Sequence, residues 1–157
     1  MLTTPEEKNK FLQKLYRLFN IRLRSEKEIR DYLKFKKKIE NDELISDLIN
    51  TLKDQRLIDD LIFAKSWVLS RSRKKGPKVI KIELLQKGID KEIIDEVMGL
   101  VDGGEQVAEE LFNKKIKGWK NLEPMKFKQK AYDFLTRKGF EYSVIEKVVK
   151  KYYNINI

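Results

Sequence analysis

The chain has 157 residues and a formal net charge of +10, with 35 Lys and Arg against 25 Asp and Glu. It contains no Cys and no His. This excludes disulfides, thiolate metal sites and every nucleophile pair that needs an imidazole base. The surplus of positive charge indicates an anionic partner, either nucleic acid or an acidic protein surface, although a lysine-rich surface without such a partner is the plain alternative.

Composition also indicates the class of structure and the compartment. Leu, Ile, Lys and Glu dominate, and only 7 Gly and 3 Pro are present, which favours long helices. The start MLTTPEEKNK has no apolar signal core, and no run approaches the 18 apolar residues of a membrane span. We therefore expect a soluble, cytoplasmic protein without membrane contact.

The first third of the chain predicts three helices. The first begins after Thr4, a capping residue type, with Pro5 at its first position. The second begins at Ser25, where Glu28 completes the pattern of a capping box. The third follows Asp42.

The middle third predicts three more helices. The fourth follows Asp59 or Asp60 and ends before Gly76, which opens a Gly-Pro corner. The fifth stops at Gly88, because glycine accepts the left-handed conformation that ends many helices. The sixth follows Asp90.

The last third again predicts three helices, after a break at Gly103 and Gly104. The seventh ends near Gly118 and the eighth stops at Gly139. The ninth is predicted to begin with Ser143 as its cap. No segment has the alternating pattern of a strand.

These triplets resemble one another. A shift of 51 residues superposes 84–98 on 135–149, including a Lys-Gly turn, whereas the first third needs a shift of 49 and has the longer KKKIENDE in place of that turn. A period near 50 indicates a tandem repeat, and units of this size are expected to share apolar surface. We predict an all-α, elongated array rather than a compact nine-helix bundle. Its three-helix units are residues 1–57, 58–102 and 103–157.

The fourth helix carries apolar side chains on two sides. One row, widened by two aromatic residues, comprises Leu57, Leu61, Phe63, Ala64, Trp67 and Val68. Ile62 and Leu69 lie nearly opposite, so we expect a helix packed on both sides between repeat neighbours. Trp67 is predicted to belong to this packing rather than to stack on a base.

Asp59 and Asp60 raise the question of catalysis, since two carboxylates could hold Mg²⁺ in a nuclease. Adjacent helical residues point in different directions, however, and no third ligand lies three or four residues on. We favour capping for both residues, with no catalytic residue, metal or cofactor. A metal-dependent enzyme remains the weaker alternative.

Two basic segments are the predicted binding surface. Seven Lys or Arg without an acid lie between Lys65 and Lys81, and seven Lys with one acid lie between Lys114 and Lys130. Both segments join the first and second helices of a unit, so they could face a polyanion together. The residues predicted to contact a protein partner or DNA are Arg71, Arg73, Lys74, Lys75, Lys78, Lys81, Lys114, Lys115 and Lys117.

The stretch RLIDDLIFAKSWVLSRSR, followed by a Gly-Pro corner and IELLQKGID, resembles the central signature of the RecX family, which regulates the RecA recombinase. The match is specific over about 56–98 and weaker at both ends. Its positions are Leu57, Asp59, Asp60, Phe63, Ala64, Trp67, Val68, Arg71, Gly76, Pro77, Glu83, Leu84, Lys87, Gly88 and Ile89.

The resemblance implies a curved array of three-helix repeats without catalytic residues. It implies a protein that lies in the groove of the RecA filament on single-stranded DNA. There it would hinder ATP hydrolysis, strand exchange and filament growth in recombination and DNA repair. We expect a monomer. The alternative is a basic DNA-binding protein that acts independently of RecA.

Overall fold

The computed structural model describes residues 3–155, which contain nine α-helices and no strand. The predicted all-α repeat class is confirmed. The helices are α1 Pro5–Ile21, α2 Glu26–Asp31, α3 Asp42–Asp54, α4 Asp60–Arg71, α5 Pro77–Gln86, α6 Lys91–Met98, α7 Glu105–Lys115, α8 Pro124–Lys138 and α9 Tyr142–Ile155. A π-helical turn, Tyr32–Lys36, extends α2, and a 3-10 turn, Ile116–Gly118, extends α7. Over this range, the helices are too short or too polar to cross a bilayer.

Three predicted caps are confirmed. The side chains of Thr4, Ser25 and Asp59 each accept a hydrogen bond from the backbone N–H three residues later, at 3.2, 3.2 and 3.1 Å. Each bond satisfies one of the N–H groups that the first turn of a helix leaves without a partner. Helix starts of this kind depend only on residues within one turn, which is why the sequence pattern identifies them.

The start of α3 differs from the prediction. The helix begins at Asp42 rather than after it, and Asn41 is its cap. The side-chain oxygen of Asn41 accepts hydrogen bonds from the N–H groups of Glu43 and Leu44, at 3.0 and 3.3 Å. Asp42 therefore lies in the first turn, where its charge favours the helix dipole.

The start of α9 also differs, because the prediction of Ser143 as its cap is wrong. The helix begins at Tyr142, and the carbonyl of Glu141 accepts the first helical hydrogen bonds. The chain turns at Gly139 in the left-handed conformation, buries Phe140 and enters α9 directly. The shift of 51 already pairs Glu141 with Asp90, the residue before α6.

The buried side chains form three separate clusters, one for each triplet of helices. The first lies between residues 12 and 58, the second between 63 and 97, and the third between 108 and 149. Within each triplet the third helix packs on the other two. The expectation that neighbouring units share their apolar surface is wrong. Each triplet closes its own core. The triplets meet at helix ends and turns, where backbone polar groups pair and the side chain of Val79 lies against Gly139.

The packing of α4 corrects a second expectation. Phe63 and Val68 are buried in the middle cluster, and the ring of Trp67 stacks on Phe63 with centroids 5.6 Å apart. On the opposite side Ile62 is 52% exposed and Leu69 is 74% exposed. The aromatic residues therefore pack within the middle unit, and α4 is covered on one side only.

The junction between the first and second triplets joins the start of α2 to the turn after α5. The hydroxyl of Ser25 donates to the carbonyl of Lys87 at 2.7 Å. A Cβ placed on Gly88, which has φ +75°, would lie 2.5 Å from the Cβ of Lys27. Glycine is required at this position both for its backbone conformation and for the close approach of α2.

The junction between the second and third triplets repeats this arrangement. The N–H of Gly76 donates to the carbonyl of Lys138 at 2.6 Å, and the N–H of Lys78 donates to the carbonyl of Gly139 at 3.0 Å. The pairs 25–87 and 76–138 are related by the same shift of 51 residues. In both junctions, the Lys-Gly turn of one triplet therefore contacts the start of the second helix of the preceding triplet.

The first triplet makes its corresponding turn without glycine. Lys38 adopts φ +54° there, and the N–H of Ile39 donates to the carbonyl of Leu33, six residues back. In the middle triplet the equivalent bond, from Ile89 to Leu84, spans five residues. The π-helical turn supplies this extra residue. The segment from Ile39 to the start of α3 is one residue longer than the segment from Ile89 to the start of α6, which supplies another. Together they change the repeat shift from 51 to 49.

Candidate partner-binding surface

The two acidic residues of the signature serve different helices. Asp59 caps α4, whereas the carboxylate of Asp60 accepts a hydrogen bond from the backbone N–H of Glu26 at 2.9 Å and so caps α2 of the preceding triplet. Burial raises the pKa of Asp60. No group of three or more potential metal-ligating residues occurs within residues 3–155. The pair is thus explained by capping, although Asp60 caps a different helix from the one predicted.

Four signature residues form one cluster on the middle triplet. Glu83 accepts hydrogen bonds from Trp67 Nε1 at 2.9 Å and from Arg71 Nε at 3.0 Å. Burial alone would raise the pKa of Glu83, but these bonds outweigh it and hold the pKa below its ordinary range. The Nζ of Lys87 lies 5.2 Å from the centre of the Trp67 ring. Arg71, predicted as a binding residue, is therefore engaged inside the middle unit.

The other predicted basic residues differ in their surroundings. The Nζ of Lys78 lies 3.2 Å from a carboxylate oxygen of Glu141, so this ion pair links the second and third triplets. The remaining exposed side chains form no ion pair with any residue in the described part of the chain. They are Arg73, Lys74, Lys81, Lys114, Lys115 and Lys117.

Four cations converge where the second and third triplets meet. Burial and the charges of Lys75, Lys115 and Arg137 lower the pKa of Lys138. Lys75 directly precedes Gly76, whose backbone N–H donates to the carbonyl of Lys138 at 2.6 Å. The Nζ atoms of Lys115 and Lys138 lie 5.6 and 5.7 Å from the centre of the Phe134 ring. Across residues 3–155, no carboxylate forms an ion pair with any of the four cations.

We name this group the cationic junction: Lys75, Lys115, Arg137 and Lys138. Lys75 follows α4, Lys115 ends α7, and Lys138 ends α8. The structure thus brings Lys75 and Lys115, from the two predicted basic segments, to one place. Sequence reasoning missed Arg137, Lys138 and Phe134. The only signal for Lys138 is its position in the repeated Lys-Gly turn.

An apolar groove lies elsewhere on the middle triplet, between α4 and α6. It has a volume of about 480 Å³, and its lining includes Val68, Leu69, Val97 and Leu100. Leu69 and Leu100 are 74% and 77% exposed. The groove is a second surface on which a protein partner could pack.

Three triplets, joined by repeated turns and carrying several cations without an ion pair at a junction, define a helical-repeat protein with a basic surface. Two family models match the chain: "RecX, second three-helix domain" over residues 59–98 and "RecX, third three-helix domain" over residues 104–149. Together they cover more than half of the chain. The chain belongs to the RecX family.

Relatives and solved structures agree with this assignment. The Regulatory protein RecX of Bacillus velezensis is 35% identical over 93% of this chain and 56% of its own length. That of Oceanobacillus iheyensis is 35% identical over 96% of this chain and 57% of its own length. The chain spans a little over half the length of these relatives.

The crystal structure of RecX from Lactobacillus salivarius superposes with a TM-score of 0.81 at 28% identity, covering 94% of this chain and 97% of that one. A second structure, a regulatory protein RecX, superposes with a TM-score of 0.79 at 28% identity, over 91% of this chain and 71% of that one. The triplet arrangement is thus that of solved RecX proteins.

Proposed function

We propose that the chain regulates RecA, mainly as an inhibitor. In this proposal it lies in the groove of the RecA filament on single-stranded DNA and hinders ATP hydrolysis, strand exchange and filament extension. The observation that carries the proposal is membership of the RecX family, whose relatives are named regulatory proteins. The chain acts by binding, as a monomer in the cytoplasm, and performs no catalysis.

The repeat architecture supports binding to a polymer. We propose residues 1–57, 58–102 and 103–157 as three contact units. Units held on one chain raise each other's effective concentration, so several weak contacts combine into stable binding. Arg73, Lys74 and Lys81 are exposed and without an ion pair among the described residues, which leaves them for acidic protein surface or DNA phosphate. The groove at Leu69 and Leu100 supplies apolar contact area.

The test measures RecA-catalysed ATP hydrolysis on single-stranded DNA with the purified chain added below the RecA concentration. We expect inhibition and co-sedimentation with the filaments. The variant Arg73→Glu/Lys74→Glu/Lys81→Glu should need at least about tenfold more protein for half-inhibition, since about 1.4 kcal/mol of lost binding corresponds to that factor. The control reverses three exposed lysines of other helices, Lys10, Lys34 and Lys91. Unchanged hydrolysis together with no co-sedimentation of the wild-type chain would reject the proposal.

A second candidate function is DNA binding without RecA, and the cationic junction favours it. That function predicts tight binding of naked DNA with a steep dependence on salt, and no effect on RecA beyond competition for DNA. If the three charge reversals remove filament inhibition but leave DNA binding intact, the second candidate fails.

A further inference from the structure

We propose that the cationic junction binds a phosphate group of a single-stranded nucleic acid. The inference rests on the proposed function in so far as the RecA filament contains such a strand. It goes further by naming the residues that hold the strand and the chemical group they hold. The charged atoms are the ammonium groups of Lys75, Lys115 and Lys138 and the guanidinium of Arg137.

Like charges gather at the cationic junction. The ammonium groups of Lys115 and Lys138, which end different helices, lie 5.6 and 5.7 Å from the centre of the Phe134 ring. Lys75 adjoins Gly76, which is hydrogen-bonded to the Lys138 carbonyl, so three cations share this region although cations repel one another. No carboxylate within residues 3–155 forms an ion pair with them. Lys138 is half-buried, so solvent screens its charge incompletely. A bound anion would remove this repulsion, and a phosphate accepts hydrogen bonds from several ammonium groups at once.

The backbone around Lys138 is held in place before any ligand arrives. Its carbonyl accepts the N–H of Gly76 at 2.6 Å, and the adjacent carbonyl of Gly139 accepts the N–H of Lys78 at 3.0 Å. These bonds tie the end of α8 to the start of α5. The positions of Lys75 and Lys138 are therefore set by the docking of the two triplets, which lowers the entropy cost of binding.

Aromatic rings beside the cations indicate a nucleic-acid strand as the source of the phosphate. The ring of Phe134 is partly exposed, the ammonium groups of Lys115 and Lys138 lie 5.6 and 5.7 Å from its centre, and Trp119 packs on it edge to face at 5.9 Å. Aromatic rings beside a positive path are typical of proteins that bind single strands. Exposed cations continue from the junction along the chain on both sides, at Arg73 and Lys74 and at Lys114 and Lys117. They would meet neighbouring phosphates of a strand, whereas a free anion would not use them.

The experiment measures binding of a labelled oligo-dT of about 15 nucleotides, without RecA, by fluorescence anisotropy over a range of salt. The variant is Lys75→Gln/Lys115→Gln/Lys138→Gln. The control, Lys10→Gln/Lys34→Gln/Lys91→Gln, removes the same total charge from exposed sites elsewhere. Circular dichroism establishes that both variants are folded.

We expect the junction variant to bind at least about tenfold more weakly at 0.1 M salt, with the salt slope reduced by about 1 for each lysine that contacts a phosphate. The affinity of the control variant for oligo-dT should fall by less than about threefold, as expected for a change in net charge alone. Equal losses in the two variants would overturn the proposal, because only the overall field would then matter.

Competitors distinguish the ligand. Inorganic phosphate or poly-glutamate that displaces oligo-dT at the same concentration of charge would overturn the assignment to a nucleic-acid strand. A Trp67→Phe background leaves Trp119 as the sole tryptophan, since the chain has two. Binding of oligo-dT should change the fluorescence of Trp119, and adding the three junction substitutions to this background should abolish that change. Unchanged fluorescence on binding would place the strand elsewhere.

Failure of this inference and failure of the proposed function give different results. If the junction variant binds oligo-dT like the wild type but the chain still inhibits RecA, the phosphate site is wrong and the proposed function stands. If oligo-dT binding requires the three lysines while RecA hydrolysis and filament binding are unaffected by the wild-type chain, the site stands and the proposed function fails.

Discussion

The carboxylate of Asp60 accepts a hydrogen bond from the backbone N–H of Glu26 at 2.9 Å, across 34 residues of chain. A residue at the start of the middle triplet thereby caps the second helix of the first triplet. The hydroxyl of Ser25, at the same end of α2, donates to the carbonyl of Lys87 in the turn after α5. The start of α2 is thus held both by the first residue of α4 and by the turn between α5 and α6.

Replacing Asp60 tests this cap. Asp60→Ala should lower the free energy of unfolding by about 1 kcal/mol, the usual cost of losing a helix cap. Asp60→Asn keeps an acceptor oxygen and should lose less. Urea unfolding followed by circular dichroism measures both values. Equal losses in the two variants would contradict a role for the hydrogen bond.

The same residue predicts a dependence on pH. Because burial raises the pKa of Asp60, the folded chain holds this proton more tightly than the unfolded chain does. The contribution of Asp60 to stability is therefore present at low pH and is lost as pH rises through the raised pKa. Asp60→Asn lacks this loss, so its stability relative to the wild type should increase between about pH 3 and pH 7. A constant difference over that range would refute the expectation.

Glu83 should show the opposite pH dependence. Its pKa is lowered despite burial, through hydrogen bonds from Arg71 and Trp67. Its stabilising contribution is then present above the ordinary pKa of glutamate and is lost as pH falls through the lowered value. Glu83→Gln should cost about 1 kcal/mol at pH 7, with a smaller cost at about pH 3. Thermal unfolding at both pH values measures the change.

An added methyl group at Gly139 should destabilise the chain more than one at Gly118. Gly139 has φ +98°, and a Cβ there would lie 2.6 Å from the backbone nitrogen of Val79. Gly139→Ala should therefore cost more than about 1 kcal/mol, from backbone strain and from loosening of the junction. Gly118→Ala is the matched control, because no atom lies within 4 Å of its added Cβ. Similar thermal unfolding of the two variants would show that the close approach is unimportant.

The corresponding turn of the first triplet predicts a stabilising change. Lys38 is exposed and adopts φ +54°, a conformation that costs a side-chain-bearing residue about 1 kcal/mol more than glycine. Lys38→Gly should raise the free energy of unfolding by several tenths of a kcal/mol, after the greater freedom of glycine in the unfolded chain is subtracted. Lys37→Gly is the control. Lys37 has φ −90°, which any residue adopts, so glycine there only increases the freedom of the unfolded chain and should lower the free energy of unfolding. Urea midpoints should therefore move in opposite directions.

Helix starts were predictable to within one or two residues, because caps depend on neighbours within a single turn, whereas α4 ends at Arg71 and not directly before Gly76 as predicted. Thr4, Ser25, Asp59 and the glycines at 88 and 139 were all identified in this way. The error at Ser143 arose where a capping residue type lies inside the first turn, and the repeat alignment with Asp90 was the better guide.

The sequence by itself determined the helical class, the triplet repeat and the residues that begin and end most helices, since these follow from local periodicity. Only the tertiary structure decided that Asp60 caps α2, that Arg71 is paired with Glu83, and that Leu69 is exposed. It also joined the Lys138 carbonyl to Gly76, next to Lys75, and placed the ammonium groups of Lys115 and Lys138 beside the Phe134 ring. The physical reason is that these contacts depend on how helices distant in sequence meet, and between triplets this is fixed by hydrogen bonds to the backbone carbonyls of the Lys-Gly turns.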